Sequence, residues 1–118
     1  NVQIYEIDGP FFFGIANKFD ELASETTSRK PKVRIIRMRK VPFIDSTGLK
    51  NLRSLCNKSK RERIQIILSG VTDEVYQVLD KSGFADELGK EFIFDHISKA
   101  LDKANELTNP EQTLSLNE

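Results

Sequence analysis

The residues of this chain best suited to chemistry gather in one short run, Phe43-Ile44-Asp45-Ser46-Thr47-Gly48-Leu49. Upstream, Val33, Ile35, Ile36 and Met38 have the β-branched, apolar look of a strand. Downstream, Leu49, Leu52, Leu55 and Cys56 recur at helical spacing. The polar cluster is therefore a helix entrance. Asp45 suits the N-cap position, and Ile44 and Leu49 would form a hydrophobic staple across it. Ser46 and Thr47 then fall among free backbone N–H groups at the positive end of the helix dipole, where a phosphate on the Ser46 hydroxyl would be locally stabilised. Asp45, Ser46, Thr47 and Gly48 also make a good capping sequence with no further role.

Other chemistry finds little support. The single histidine, His96, has no cysteine or second histidine at metal-ligand spacing, and beside Asp95 it reads as part of the first turn of the last helix. No Gly-rich loop ends in Lys-Ser or Lys-Thr, so a phosphate-cradling loop is missing. Ser46 has no base within its motif, and nothing pairs two of the eighteen carboxylates for acid–base work. The expectation is a protein that is not an enzyme, with no catalytic residue, metal or cofactor. Cys56 lies on an apolar helical stripe and reads as a small packed hydrophobe. The run Lys58-Ser59-Lys60-Arg61-Glu62-Arg63 closes the same helix, where cations complement the negative dipole end. Its alternative reading is a small basic patch for phospholipid headgroups or an acidic partner.

These residues need an α/β frame to position them. Strands are predicted over residues 2–7, at Phe11, Phe12 and Phe13, and over 33–38 and 64–69, with 91–94 as a short edge strand. The break at Gly9-Pro10 marks a tight reversal between the first two. Ile15, Phe19, Leu22 and Ala23 form the stripe of a first helix, and the helix after Asp45 is the second. A third starts from a Thr72 N-cap, carries Val75, Val78 and Leu79, and stops at Ser82-Gly83. The last runs from about Asp95 with Ile97, Ala100, Leu101, Ala104 and Leu107 on one face. One apolar stripe per helix suits helices packed mainly on one face of a central sheet.

At 118 residues the chain closes one core. Eighteen basic and eighteen acidic residues cancel, which removes the global attraction to nucleic acid that a basic domain would have. One cysteine permits no internal disulfide and fits a reducing compartment. No apolar run approaches the ~20 residues needed to span a bilayer. Opening at Asn1 without an initiator Met, almost directly into a strand, the sequence reads as an excerpt from a longer protein.

The stretch Asp45-Ser46-Thr47-Gly48-Leu49 resembles the signature of STAS domains, the family shared by sulfate transporters and anti-sigma-factor antagonists. The opening Gly9-Pro10-Phe11-Phe12-Phe13-Gly14-Ile15-Ala16-Asn17 is similar to that of STAS domains in SulP anion transporters; antagonists usually carry a polar, acidic turn there. The resemblance runs from about Val2 to Leu107. It implies a STAS fold, a mixed four- to five-stranded sheet flanked by helices, over residues 1–108, with 109–118 as a flexible tail. It further implies a cytoplasmic C-terminal domain, at the inner face of the plasma membrane, of a SulP-type sulfate or anion transporter. Such a domain regulates or assembles the transporter through protein–protein contacts at Asp45, Ser46, Thr47, Gly48 and Leu49. Implied partners are the membrane domain of the same protein, a cytosolic regulatory protein and a second copy of the chain, with no nucleic acid. The alternative is a free-standing anti-sigma-factor antagonist switched by phosphorylation of Ser46. Some family members bind nucleotide weakly; this sequence offers no recognisable motif for it.

Overall fold

Apolar runs buried on both faces make the central strands. In the computed structural model, residues 2–8 and 31–108 are described. Strands β1 (Val2–Asp8), β2 (Val33–Lys40) and β3 (Gln65–Ser69) lie side by side in that order and all run parallel. Ile4 stands opposite Ile35, and Ile35 opposite Ile67, so the β-branched residues form a row across the sheet. Helices α1 (Ser46–Arg61), α2 (Asp73–Lys81), α3 (Phe84–Leu88) and α4 (Ile97–Thr108) connect and cover it.

Alternate side chains of β2 feed two cores. Ile36 and Met38 join Leu52, Leu55, Val75, Leu79 and Phe84 beneath α1, α2 and α3. Val33 and Ile35 join Ile67, Ala100 and Ala104 beneath α4 on the opposite face. The α/β class and the helix-flanked sheet stand as expected; among the described residues, α1, α2 and α3 lie on one face and α4 on the other. Ala100 and Ala104 let α4 lie close to the sheet, because their methyl groups take little depth.

The predicted strand at residues 11–13 and the first helix lie outside the described residues, as does the tail at 109–118. One local expectation is corrected. Residues 91–94 do not form a strand: Lys90–Phe92 is a 3-10 turn, and a single parallel bridge joins Ile93 to Leu68. Gly89, at φ +106°, redirects the chain, and Phe92 and Ile93 spend their N–H groups on Gly89 and Lys90 carbonyls 3.0 and 3.2 Å away. The bridge is carried by the Phe94 N–H, which donates to the Leu68 carbonyl at 2.9 Å.

The ends of α2 fall where capping chemistry sets them. Thr72 accepts the Val75 N–H at 3.3 Å, and Ser82 closes the helix. Gly83, at φ +86°, then turns the chain directly into α3, a short helix beyond those expected from the sequence. The last helix starts at Ile97, and His96 sits just before it: its Nδ1 accepts the Ser98 N–H at 3.1 Å. Among the described residues, no helix is long and apolar enough to cross a membrane.

Candidate functional site

The corner between β2 and α1 is built by short-range interactions. After Lys40 the chain turns, with Val41 N–H donating to the Met38 carbonyl at 3.0 Å and its side chain fully buried. Asp45 is extended and caps α1: its Oδ1 accepts the Gly48 N–H at 2.7 Å, and its carbonyl accepts the Leu49 N–H at 2.9 Å. Ile44 and Leu49, on either side of that cap, are both buried in the larger core, which is the staple expected from the sequence. The cap thus fixes where the helix begins, and the staple fixes the angle at which the chain enters it. Replacing Asp45 with alanine is expected to lower stability by about 1 kcal/mol, because the Gly48 N–H loses its acceptor. Urea denaturation of the two proteins measures this, and an unchanged midpoint would count against the cap.

Ser46 and Thr47 are exposed at the first turn, while Gly48 and Leu49 are buried. The first turn carries no acidic side chain, so Asp45 is the only carboxylate of the cap region facing the dipole's positive end. Phe43, two residues before the cap, is 52% exposed, beside an exposed Pro42. The corner therefore presents an apolar ring next to two hydroxyls and a carboxylate. That set can bind a protein surface, and it holds no nucleophile–base pair. His96 bonds to Ser98, Nδ1 to Oγ 2.8 Å, and is not a base for Ser46.

The remaining candidates resolve into packing roles. Cys56 is half-buried against the core, and burial, with the Glu87 charge adding to it, pushes its thiol up to about 12. At neutral pH it stays protonated and a poor nucleophile. Lys58, Lys60 and Arg61 occupy the last turn of α1, where they complement the dipole.

One buried charge was not legible beforehand. Arg34 is only 3% exposed on β2. Its Nε and Nη2 donate to Gln3 Oε1 at 3.3 and 3.2 Å, its Nη1 reaches Ser59 Oγ at 3.5 Å, and its guanidinium lies 5.5 Å from the Tyr5 ring centre. Ser59 belongs to the C-terminal part of α1, whose negative dipole end favours a cation. Arg34 thereby ties β1 to α1 at the end of the sheet away from the Asp45 corner. Arg34 and Arg37 both interrupt the apolar run of β2, and nothing local in the sequence tells which of them is buried or names its partners.

Among the described residues, a parallel sheet covered by helices on both faces carries an exposed, capped helix start whose sequence is Asp-Ser-Thr-Gly-Leu. The chain belongs to the STAS domain family, whose model matches residues 1–104. It is 31% identical over 96 residues to the putative sulfate transporter YvdB of Bacillus subtilis (strain 168), covering 81% of this chain and 18% of that protein. This chain thus spans less than a fifth of that relative's length. Its fold superposes on a sulfate transporter family protein from Wolinella succinogenes with a TM-score of 0.83 and 44% identity, covering 91% of this chain and 87% of that one. The STAS domain of a SulP transporter from Vibrio cholerae gives a TM-score of 0.81 and 29% identity, covering 94% and 84%.

Proposed function

We propose that this chain is the cytoplasmic STAS domain of a SulP-type transporter of sulfate or a related anion, and that it regulates or assembles the transporter through contacts made at residues 43–49. The observation that carries the reading is the 44% identity to a sulfate transporter family protein across 91% of the chain. The physical support is the corner itself, where Phe43, Asp45, Ser46 and Thr47 are exposed on a rigidly capped turn. A rigid, partly apolar patch loses little conformational entropy on docking, which favours a protein partner. The membrane domain of the same protein is the partner in this reading, and the transported anion is selected there.

Ser46 is the residue through which such a contact would be switched. A negative charge in the first turn of α1 is favourable by about 0.3–1 kcal/mol, while the adjacent Asp45 carboxylate opposes it. The two effects nearly cancel in stability, yet a phosphate changes the surface by about −1.5 to −2 charges. Ser46→Asp is therefore expected to shift the melting temperature by no more than about 3 °C. In the full-length parent protein it should change sulfate uptake into vesicles several-fold, and Ser46→Ala should leave uptake near wild type. Uptake unchanged by Ser46→Asp would remove Ser46 as a switch. A full-length parent without sulfate or other anion transport would remove the transporter reading.

A further inference from the structure

The charge run that closes α1 stands beside an incompletely paired edge of the sheet. Residues 57–66 carry Lys58, Lys60, Arg61 and Arg63 against the carboxylate of Glu62, in a chain of zero net charge. Lys60, Arg61 and Arg63 are exposed, and among the described residues none of the three has a side-chain partner. Arg63 also holds φ +63°, the left-handed conformation that glycine usually supplies just past a helix end. A cation thus stands where a glycine would close the helix with less strain. The edge itself belongs to β3. Gln65 N–H donates to the Lys32 carbonyl on the β2 side at 3.0 Å, so the peptide groups of Ile66 face outward. The Gln65 side-chain amide takes the Ile66 carbonyl at 2.9 Å, and the Ile66 N–H has no acceptor among the described residues. Two residues on, Phe94 pairs with Leu68, so the open stretch is short. Beside it lies a cleft of about 420 Å³ between α1 and α3. Ile64, Ile66 and Phe84 form its floor but are only 4, 2 and 1% exposed, so a ligand meets mostly polar groups. These are Asn57 and Lys60 of α1, Gln65 of β3, and Arg53 bonded to Glu87 at 2.7 Å. The Asn57 amide has no partner among the described residues.

We propose that this polar cleft binds an extended acidic segment of a partner protein, whose backbone carbonyl accepts the Ile66 N–H and whose carboxylates face Lys60, Arg61 and Arg63. The contact lies at the opposite end of α1 from Asp45 and goes beyond the role proposed for that corner. Strand addition at a sheet edge takes its affinity from main-chain bonds and its specificity from alternate side chains. Side chains on one face of an extended segment recur about every 7 Å, so a Glu-x-Glu pattern sets two carboxylates along the cationic run. The Gln65 amide imitates the donor of such a strand at the Ile66 carbonyl, which leaves no orphaned acceptor until the segment's own N–H replaces it. A phospholipid surface offers the same negative charge. A flat headgroup layer, however, neither enters a cleft between two helices nor extends a strand, so the edge favours a peptide.

The test titrates the 118-residue chain with the peptide acetyl-Glu-Val-Glu-Val-Glu-amide and follows backbone amide shifts and hydrogen exchange by NMR. The matching Gln-Val-Gln-Val-Gln peptide and vesicles of phosphatidylcholine with phosphatidylglycerol serve as comparisons. The acidic peptide is expected to shift the Lys60, Gln65 and Ile66 amides and to slow Ile66 exchange at least ~3-fold at saturation. Affinity should fall at least ~10-fold for the glutamine peptide, and likewise when salt is raised to about 0.5 M. Lys60→Glu should weaken binding at least ~5-fold at an unchanged melting temperature, while Lys50→Glu, toward the other end of α1, binds as wild type. Arg63→Gly should weaken binding ~2-fold without lowering the melting temperature, because glycine adopts the left-handed conformation freely. Four results would overturn the proposal. Equal binding of the two peptides removes the charge, and shifts at Lys60 without slower Ile66 exchange remove the added strand. An Ile66 amide as strongly protected in the free chain as that of Ile67 shows an edge already occupied. An acidic peptide that shifts none of these amides leaves no peptide site, and vesicles that shift them in its stead assign the run to a membrane surface.

Discussion

Gly70→Ala is expected to destabilise the domain by about 2–4 kcal/mol, out of the 5–15 kcal/mol typical of a small domain. Gly70 leaves β3 at φ +67°, in the left-handed region where an alanine is strained. A Cβ built there would stand 2.8 Å from both the backbone nitrogen and the Cβ of Arg39, closer than real contacts allow. Neither neighbour is a flexible side-chain end. Relief therefore requires β2 and the β3–α2 turn to move apart, although Ile36 and Met38 pack β2 tightly into the core. Urea denaturation of the wild type and the variant measures the loss, with a drop in midpoint and an unchanged slope as the expected pattern. A loss below about 0.5 kcal/mol would show that the close approach of the two backbones is not maintained in solution.

Phe84→Ala should cost about 3–5 kcal/mol, the largest loss expected from truncating any described core residue. Among the described residues, Phe84 is the bulkiest fully buried side chain, and it sits at the first position of α3 among residues of the larger core. A five-residue helix does not hold itself together, so α3 persists because Phe84 and Ala85 are buried beneath it. Removing the ring leaves a cavity and releases the element that walls the cleft beside β3. Phe84→Leu refills much of the volume and should lose less than half as much, which separates a packing effect from a backbone one. Denaturation curves of both variants decide it, and equal losses would point to a cause other than cavity volume.

The corner and the fold differ in how far they could be read in advance. At the corner, Asp45, Gly48, Ile44 and Leu49 interact within five residues of one another, so chain connectivity alone brings them together. The same holds for Thr72 and Val75 at the start of α2. The strands over Val33–Lys40 and Gln65–Ser69 were legible for a related reason: a strand buried on both faces needs an unbroken apolar run, and few other structures do. Family resemblance added the expected fold, which the comparisons bear out. The role of Ser46 stays a proposal, because a capping sequence and a switch look alike in local sequence.

Where contacts join distant parts of the chain, local pattern ran out. Residues 91–94 have the composition of a strand, but the turn at Gly89 and the i→i+3 bonds that follow it take the N–H groups of Phe92 and Ile93. Arg34 looks like a solvent-facing strand position until Gln3, Tyr5 and Ser59 arrive from β1 and α1 to surround it. Phe84 follows a helix stop and carries no periodic signal, yet it is fully buried because α3 folds back onto the core. The sequence by itself determined the helix ends and the apolar strands, since caps and periodicities act over three to five neighbouring residues. Only the tertiary structure decided which face each described helix covers and which charge is buried, because those outcomes depend on contacts between residues far apart in the chain, as between Gln3 and Arg34.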